Sequence, residues 1–163
     1  QMVFQDPYSS LNPSKTIGWL LQEPLRVARV PKADREAAAY DMLHRVGLED
    51  SYFHRKPSQL SGGQRQRISI AQALIAHPGF VVADEPVSAL DVTIQAQIME
   101  LLQKLQQEMK LSYLFISHDI NVVYHMCDRI MVMKAGHIIE TGKTEEIFRS
   151  PKEPYTRLLL GEQ

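Results

Sequence analysis

Phe80-Val81-Val82-Ala83-Asp84-Glu85-Pro86 is a short apolar run that ends in two acids. Its length and its continuous hydrophobicity predict a strand buried on both faces of a parallel sheet. In open α/β sheets, ligands sit outside the carboxyl ends of the strands. Asp84, at such an end, suits Mg²⁺ held through water, because this ion gives up its water reluctantly. Glu85, one residue on, suits a base that accepts a proton from an attacking water. The competing reading is a strand-ending turn with no ligand.

Upstream of this strand lies Leu60-Ser61-Gly62-Gly63-Gln64, followed by Arg65-Gln66-Arg67. Two glycines let a backbone come close to a ligand. Ile68, Ala71, Gln72 and Ile75 predict a helix after Gly63, which would turn its N-terminal N–H groups and positive dipole end toward an anion. Ser61 adds a hydroxyl donor, so the segment has the chemistry of a phosphate site. Taken alone, Ser-Gly-Gly reads more readily as a plain turn before a helix. Arg65 and Arg67 read as solvated or paired helix residues, with a nucleotide or interface role as the alternative.

Downstream, Ile94, Ile98, Leu101, Leu102 and Leu105 form the apolar stripe of a long helix that starts near Val92. Residues 113–116 predict the next strand, ending at Ser117-His118-Asp119. This puts His118 at a strand end as an expected neighbour of Glu85, although a lone histidine there is ordinarily structural. Asp119 is placed to cap a following helix. Residues 130–133 and 137–140 flank Lys134-Ala135-Gly136 as a β-hairpin. Thr144 is placed to cap a short helix, with Glu145 and Glu146 in its first turn.

Toward the start, residues 1–4 read as the end of a strand, with Gln5 at its tip, and residues 6–13 as a loop rich in Pro, Asn and Ser. Residues 17–27 look helical despite Pro24. Asp34 is placed to cap a helix that Gly47 stops. Strands alternating with helices predict an α/β fold with a largely parallel sheet. Residues 14–75 form an expected helical subdomain that includes Ser61–Gln64. Residues 1–13 and 76–163 form the expected α/β core and C-terminal segment.

Composition narrows the possible classes. The 163 residues suit one domain with a single core, and 44% hydrophobic with 23% charged residues is ordinary for a globular protein. A net charge of -1 offers no broad basic surface for nucleic acid. Cys127 is the single cysteine, so no internal disulfide forms, and it reads as a small buried residue. No apolar run approaches the roughly 20 residues that span a bilayer. The histidines show no metal-ligand spacing.

Gln5, Leu60 to Gln64, Asp84-Glu85, Ser88-Ala89-Leu90-Asp91 and His118 occur in the order of the Q-loop, signature, Walker B, D-loop and switch histidine of ABC transporter ATPases, and the chain resembles that family. The spacings agree: 56 residues from Gln5 to Ser61, 24 from Ser61 to Glu85 and 33 from Glu85 to His118. Three stretches, residues 4–13, 84–92 and 150–157, resemble the ATP-binding subunits of bacterial oligopeptide and dipeptide importers. Nickel and glutathione importers share this style, so the cargo stays open.

The resemblance implies a P-loop NTPase-like core and an ATPase coupled to transport, with ATP and Mg²⁺ as cofactors. Gln5 would contact Mg²⁺ and the attacking water, Asp84 would support Mg²⁺, Glu85 would be the general base, and His118 would contact the γ-phosphate. Ser61, Gly62, Gly63 and Gln64 would grip ATP bound to an opposing subunit, and Asp91 would cross the dimer interface. The implied partners are a second ABC ATPase subunit in a head-to-tail dimer, transmembrane permease subunits and, indirectly, a periplasmic or extracellular substrate-binding protein. The implied location is the cytoplasmic face of the bacterial inner membrane, as a peripheral subunit, with no nucleic-acid partner. Two other readings remain: a degenerate regulatory cassette that supplies only a signature half-site, and a soluble ABC ATPase without transport.

The family also uses a G-x-x-x-x-G-K-[ST] phosphate loop ahead of the Q-loop. Gly142-Lys143-Thr144 resembles its end, but His137 stands where the first glycine belongs. The triplet therefore reads as a turn plus a helix cap. The expectation is an N-terminally truncated cassette that, by itself, binds ATP weakly, does not turn it over, and self-associates through an exposed sheet edge.

Overall fold

The computed structural model describes residues 1–6 and 10–161. Residues 7–9 of the expected 6–13 loop lie outside the described residues, as do Glu162 and Gln163. Contacts divide the chain into two compact units, residues 1–116 and residues 117–163.

In the first unit, β1 (Met2–Val3), β2 (Phe80–Asp84) and β3 (Ser112–Ile116) form a parallel sheet in the order β1-β2-β3. Met2 pairs with Val82, and Phe80 pairs with Ser112. All three carboxyl ends therefore share one edge. The first strand is shorter than the expected residues 1–4. Along β2, Val81 and Ala83 are fully buried while Phe80 is 53% exposed. This corrects the expectation of a strand packed on both faces, because among the described residues only one face is covered. A continuous apolar run does not distinguish these cases. Alternation of burial comes from the pleat, whatever the side chains are.

The helical stretch begins with α1 (Ile17–Val27) and α2 (Lys32–Arg45). Thr16 caps α1 by accepting from the Trp19 amide at 3.3 Å, and Ile17, Leu20, Leu21 and Leu25 are buried, as their spacing predicts. Pro24 sits inside α1 and does not end it. The second helix is capped at Pro31, not at Asp34, which falls within its first turn. Asp34 contributes there through charge near the positive helix end. Gly47 stops α2 as expected, with φ of 73°. Leu48 N donates to Leu43 O and Gly47 N to His44 O, the paired bonds of a left-handed C-terminal stop.

After two short 3₁₀ turns, Asp50–His54 and Pro57–Gln59, comes α3 (Gly62–Leu74). Arg65 is buried, with Nη1 donating to Pro57 O at 3.0 Å, and Arg67 Nη1 donates to Val46 O at 2.8 Å. Both arginines thus tie α3 to the segments before it, which selects the paired reading over the solvated one. Between β2 and β3 runs α4 (Val92–Met109), whose Ile98, Leu101, Leu102 and Leu105 are buried.

The second unit holds α5 (Ile120–Met126), the antiparallel pair β4 (Arg129–Lys134) and β5 (His137–Lys143), α6 (Thr144–Arg149) and α7 (Pro154–Leu159). Asp119 Oδ1 caps α5 by accepting from Asn121 N at 2.9 Å. The hairpin turns at Ala135 and Gly136, with φ of 48° and 82°, the twist that suits a two-residue connection. Gly142 and Lys143 lie in β5, and Thr144 is the first residue of α6. The cap expected at Thr144 is corrected: its hydroxyl donates to Cys127 O, and the capping position belongs to Lys143. Cys127 lies just past α5 and is half-buried, and burial first, then the Asp128 charge, pushes its thiol pKa up.

Candidate functional site

Gln5 and Glu85 stand 80 positions apart, yet Gln5 Nε2 donates to Glu85 Oε2 at 2.9 Å. The parallel register produces this contact. With Val3 beside Ala83, the residues just beyond β1 and β2 emerge at the same edge of the sheet. Gln5 Nε2 also lies 3.3 Å from Ser88 Oγ, which in turn donates to Glu85 O at 3.2 Å. Glu85 has a left-handed backbone, φ 44°, uncommon for a side-chain-bearing residue. Its amide is pinned by Ile116 O at 2.9 Å, extending the ladder one step past β2. The bent backbone turns Glu85 out of the strand direction, so its carboxylate faces Gln5. Asp84, the last residue of β2, is half-buried beside Ile116.

The second cluster forms at the start of α3. Ser61 is its N-cap, and Ser61 and Gln64 bond reciprocally: Gln64 N donates to Ser61 Oγ at 3.3 Å, and Ser61 N donates to Gln64 Oε1 at 2.9 Å. This capping box follows from a serine three residues before a glutamine. The Ser61 hydroxyl accepts in that bond, so its own proton is left for a ligand. A Cβ on Gly63 would lie 2.7 Å from Ile94 Cγ2, whereas one on Gly62 would meet Leu90 Cδ2 at an ordinary 3.7 Å. Gly63 is therefore required by packing against α4 as well as by any ligand. A polar hollow of about 310 Å³ opens here, lined by Ser61, Gly63, Gln64, Arg67, Ile94 and Tyr52 among others.

Asp91 caps α4, its Oδ1 accepting from Ile94 N at 3.0 Å, and it is exposed. His118 is exposed and belongs to the second unit, in the turn between β3 and α5. The structure thus brings Gln5 and Glu85 together, and Ser61 with Gln64. Two participants were missed by sequence reasoning. Ser88 was read only as part of the Ser88–Asp91 segment, and nothing in that segment signals its bond to Gln5. Tyr52 donates or accepts through no motif, yet Gln64 Nε2 donates to its hydroxyl at 2.7 Å.

No group of three or more His, Cys, Asp or Glu is placed to hold a metal ion among the described residues. Also among them, no helix is long and apolar enough to cross a membrane.

The sequence model of the ABC transporter family matches residues 1–88. The dipeptide transport ATP-binding protein DppF of Haemophilus influenzae is 52% identical over 161 residues, covering 98% of this chain and 49% of that protein. The oligopeptide transport ATP-binding protein OppF of Escherichia coli is 51% identical over 163 residues, covering 98% of this chain and 48% of that protein. The chain spans about half the length of the curated relatives it matches. Among solved structures, cbiO1 of Clostridium perfringens, part of the ABC transporter complex cbiONQ, superposes with a TM-score of 0.82 at 30% identity, over 91% of this chain and 58% of that one. The ATP-binding cassette MJ0796, a dimer bound to ADP and Pi, superposes with a TM-score of 0.74 at 33% identity, over 88% of this chain and 63% of that one.

Proposed function

Because the chain belongs to the ABC transporter family, we propose that it is part of the ATP-hydrolysing subunit of a bacterial peptide importer. The Gln5–Glu85 hydrogen bond at the carboxyl edge of the parallel sheet carries this reading. It joins a carboxylate suited to accept a proton from water with an amide able to orient that water. The names of DppF and OppF support peptides as cargo.

In this reading Glu85 is the general base, Gln5 orients the attacking water, and His118 contacts the γ-phosphate. The donor set at that edge, one or two carboxylates with amide and hydroxyl oxygens, fits Mg²⁺, which keeps several waters and shares its coordination with phosphates. Asp84 would hold it through water, and Gln5 has a carbonyl oxygen that its bonds to Glu85 and Ser88 do not use. When bound, Mg²⁺ neutralises charge on the β- and γ-phosphate oxygens. Ser61, Gly62, Gly63 and Gln64 grip the phosphates of ATP held by a second ATPase subunit, using the Ser61 hydroxyl and the N-terminal N–H groups of α3. Asp91 lies at that subunit interface. The helical stretch 14–75 docks on transmembrane permease subunits at the cytoplasmic face of the inner membrane, and a substrate-binding protein delivers the peptide on the other side.

The test mixes this chain with an intact cassette whose own signature serine is replaced by alanine. We expect the mixture to regain ATP hydrolysis, and Ser61→Ala in this chain to remove the gain. A chain that is folded by circular dichroism but restores nothing would sink the half-site reading.

A further inference from the structure

We propose that Tyr52 is a positioning residue for the turn that grips ATP. Its hydroxyl holds the Gln64 side chain, and through it Ser61, in the conformation the phosphate meets. This rests on the reading of Ser61–Gln64 given above. The Gln64 amide group is planar, so a partner on Nε2 also fixes the direction of Oε1. Nε2 is held by Tyr52 at 2.7 Å, and Oε1 accepts from Ser61 N at 2.9 Å. Without Tyr52, Gln64 can rotate toward water in the open hollow beside it, and the Ser61 amide loses its fixed partner.

Tyr52 is itself held from behind. It lies in the Asp50–His54 turn, with the Arg55 guanidinium over its ring at 4.1 Å from the centroid. Its neighbour Phe53 is buried, stacks on Tyr40 at 4.3 Å between centroids, and occupies the space a side chain at Gly18 would need. Arg55 O accepts from Ile17 N at 2.8 Å, tying the same turn to the start of α1. The hydroxyl is thus presented by a turn locked onto α1 and α2, 12 residues from its partner in sequence.

Tyr52→Phe removes the hydroxyl and keeps the ring. By hydrogen–deuterium exchange we expect the Ser61 and Gln64 amides to exchange about 2- to 10-fold faster, the range of one neutral hydrogen bond. The amides of the last turn of α3 should be unchanged. In the mixing assay, Tyr52→Phe should raise the ATP concentration for half-maximal hydrolysis by a similar factor, and should have no further effect when combined with Gln64→Ala. Unchanged exchange at Ser61 overturns the proposal, as does a Tyr52→Phe chain that restores hydrolysis like wild type. If the exchange responds as expected while the wild-type chain restores nothing, the ATPase reading fails and the positioning of the turn by Tyr52 stands.

Discussion

At Gly63 a Cβ would sit 2.7 Å from Ile94 Cγ2, closer than side-chain carbons approach, and Ile94 is held in the first turn of α4. One added methyl must therefore displace α4 or its own turn, and overpacking of this kind costs about 1–3 kcal/mol. Gly63→Ala should lower stability by that amount in urea unfolding, and Gly62→Ala clearly less. In an Ile94→Ala background, which removes the opposing methyl, the Gly63→Ala penalty should largely vanish. If Gly63→Ala is equally harmful with and without Ile94, the packing account is wrong. The glycine pair was legible in the sequence as a close-approach site. Its packing partner was not, because the 30 intervening residues carry no pattern that points from Gly63 to Ile94.

Among the elements, α7 depends on a distant cap. Its N-cap Glu153 makes no side-chain capping bond. Instead Glu140 of β5 accepts from Lys152 N at 2.9 Å and from Glu153 N at 3.2 Å. The nearby Thr156 hydroxyl first, then the Lys152 amide, hold the Glu140 carboxyl below its usual range. A carboxylate with a lowered folded-state pKa stabilises above its ordinary value and loses that contribution as pH falls through the folded value. Acidification from about pH 5 downward should therefore lower the protection of the Lys152 and Glu153 amides, measured against their intrinsic exchange rates at each pH. Glu140→Gln should leave these two amides weakly protected already at neutral pH, with a protection much less dependent on pH. Equal pH profiles in the two proteins would remove Glu140 as the cap. The helix at residues 154–159 went unread because its start signal lies on another element.

On the scale of the molecule, the sheet of the first unit presents an open face. Met2 is 38% exposed, Phe80 53%, Leu114 37% and Ile116 45%, all on neighbouring strands. Contiguous apolar surface of this sort drives association, and β3 is also an edge strand among the described residues. The chain should therefore self-associate with rising concentration in sedimentation velocity, and Leu114→Gln with Ile116→Lys should shift it toward monomer. A wild-type chain that stays monomeric at high concentration would contradict this.

The α/β class, the long helix between β2 and β3, the cap at Asp119 and the stop at Gly47 were all determined by the sequence itself. Each depends on apolar periodicity or on a hydrogen bond reaching five residues or fewer, so the residues that decide it lie together in the chain. The bond from Gln5 to Glu85, the hold of Tyr52 on Gln64, the contact of Gly63 with Ile94 and the single covered face of β2 were decided only by the tertiary structure. In these the deciding partner arrives from 12 to 80 positions away or from a neighbouring layer. Strand register and helix packing bring such groups together, and no local spacing encodes them.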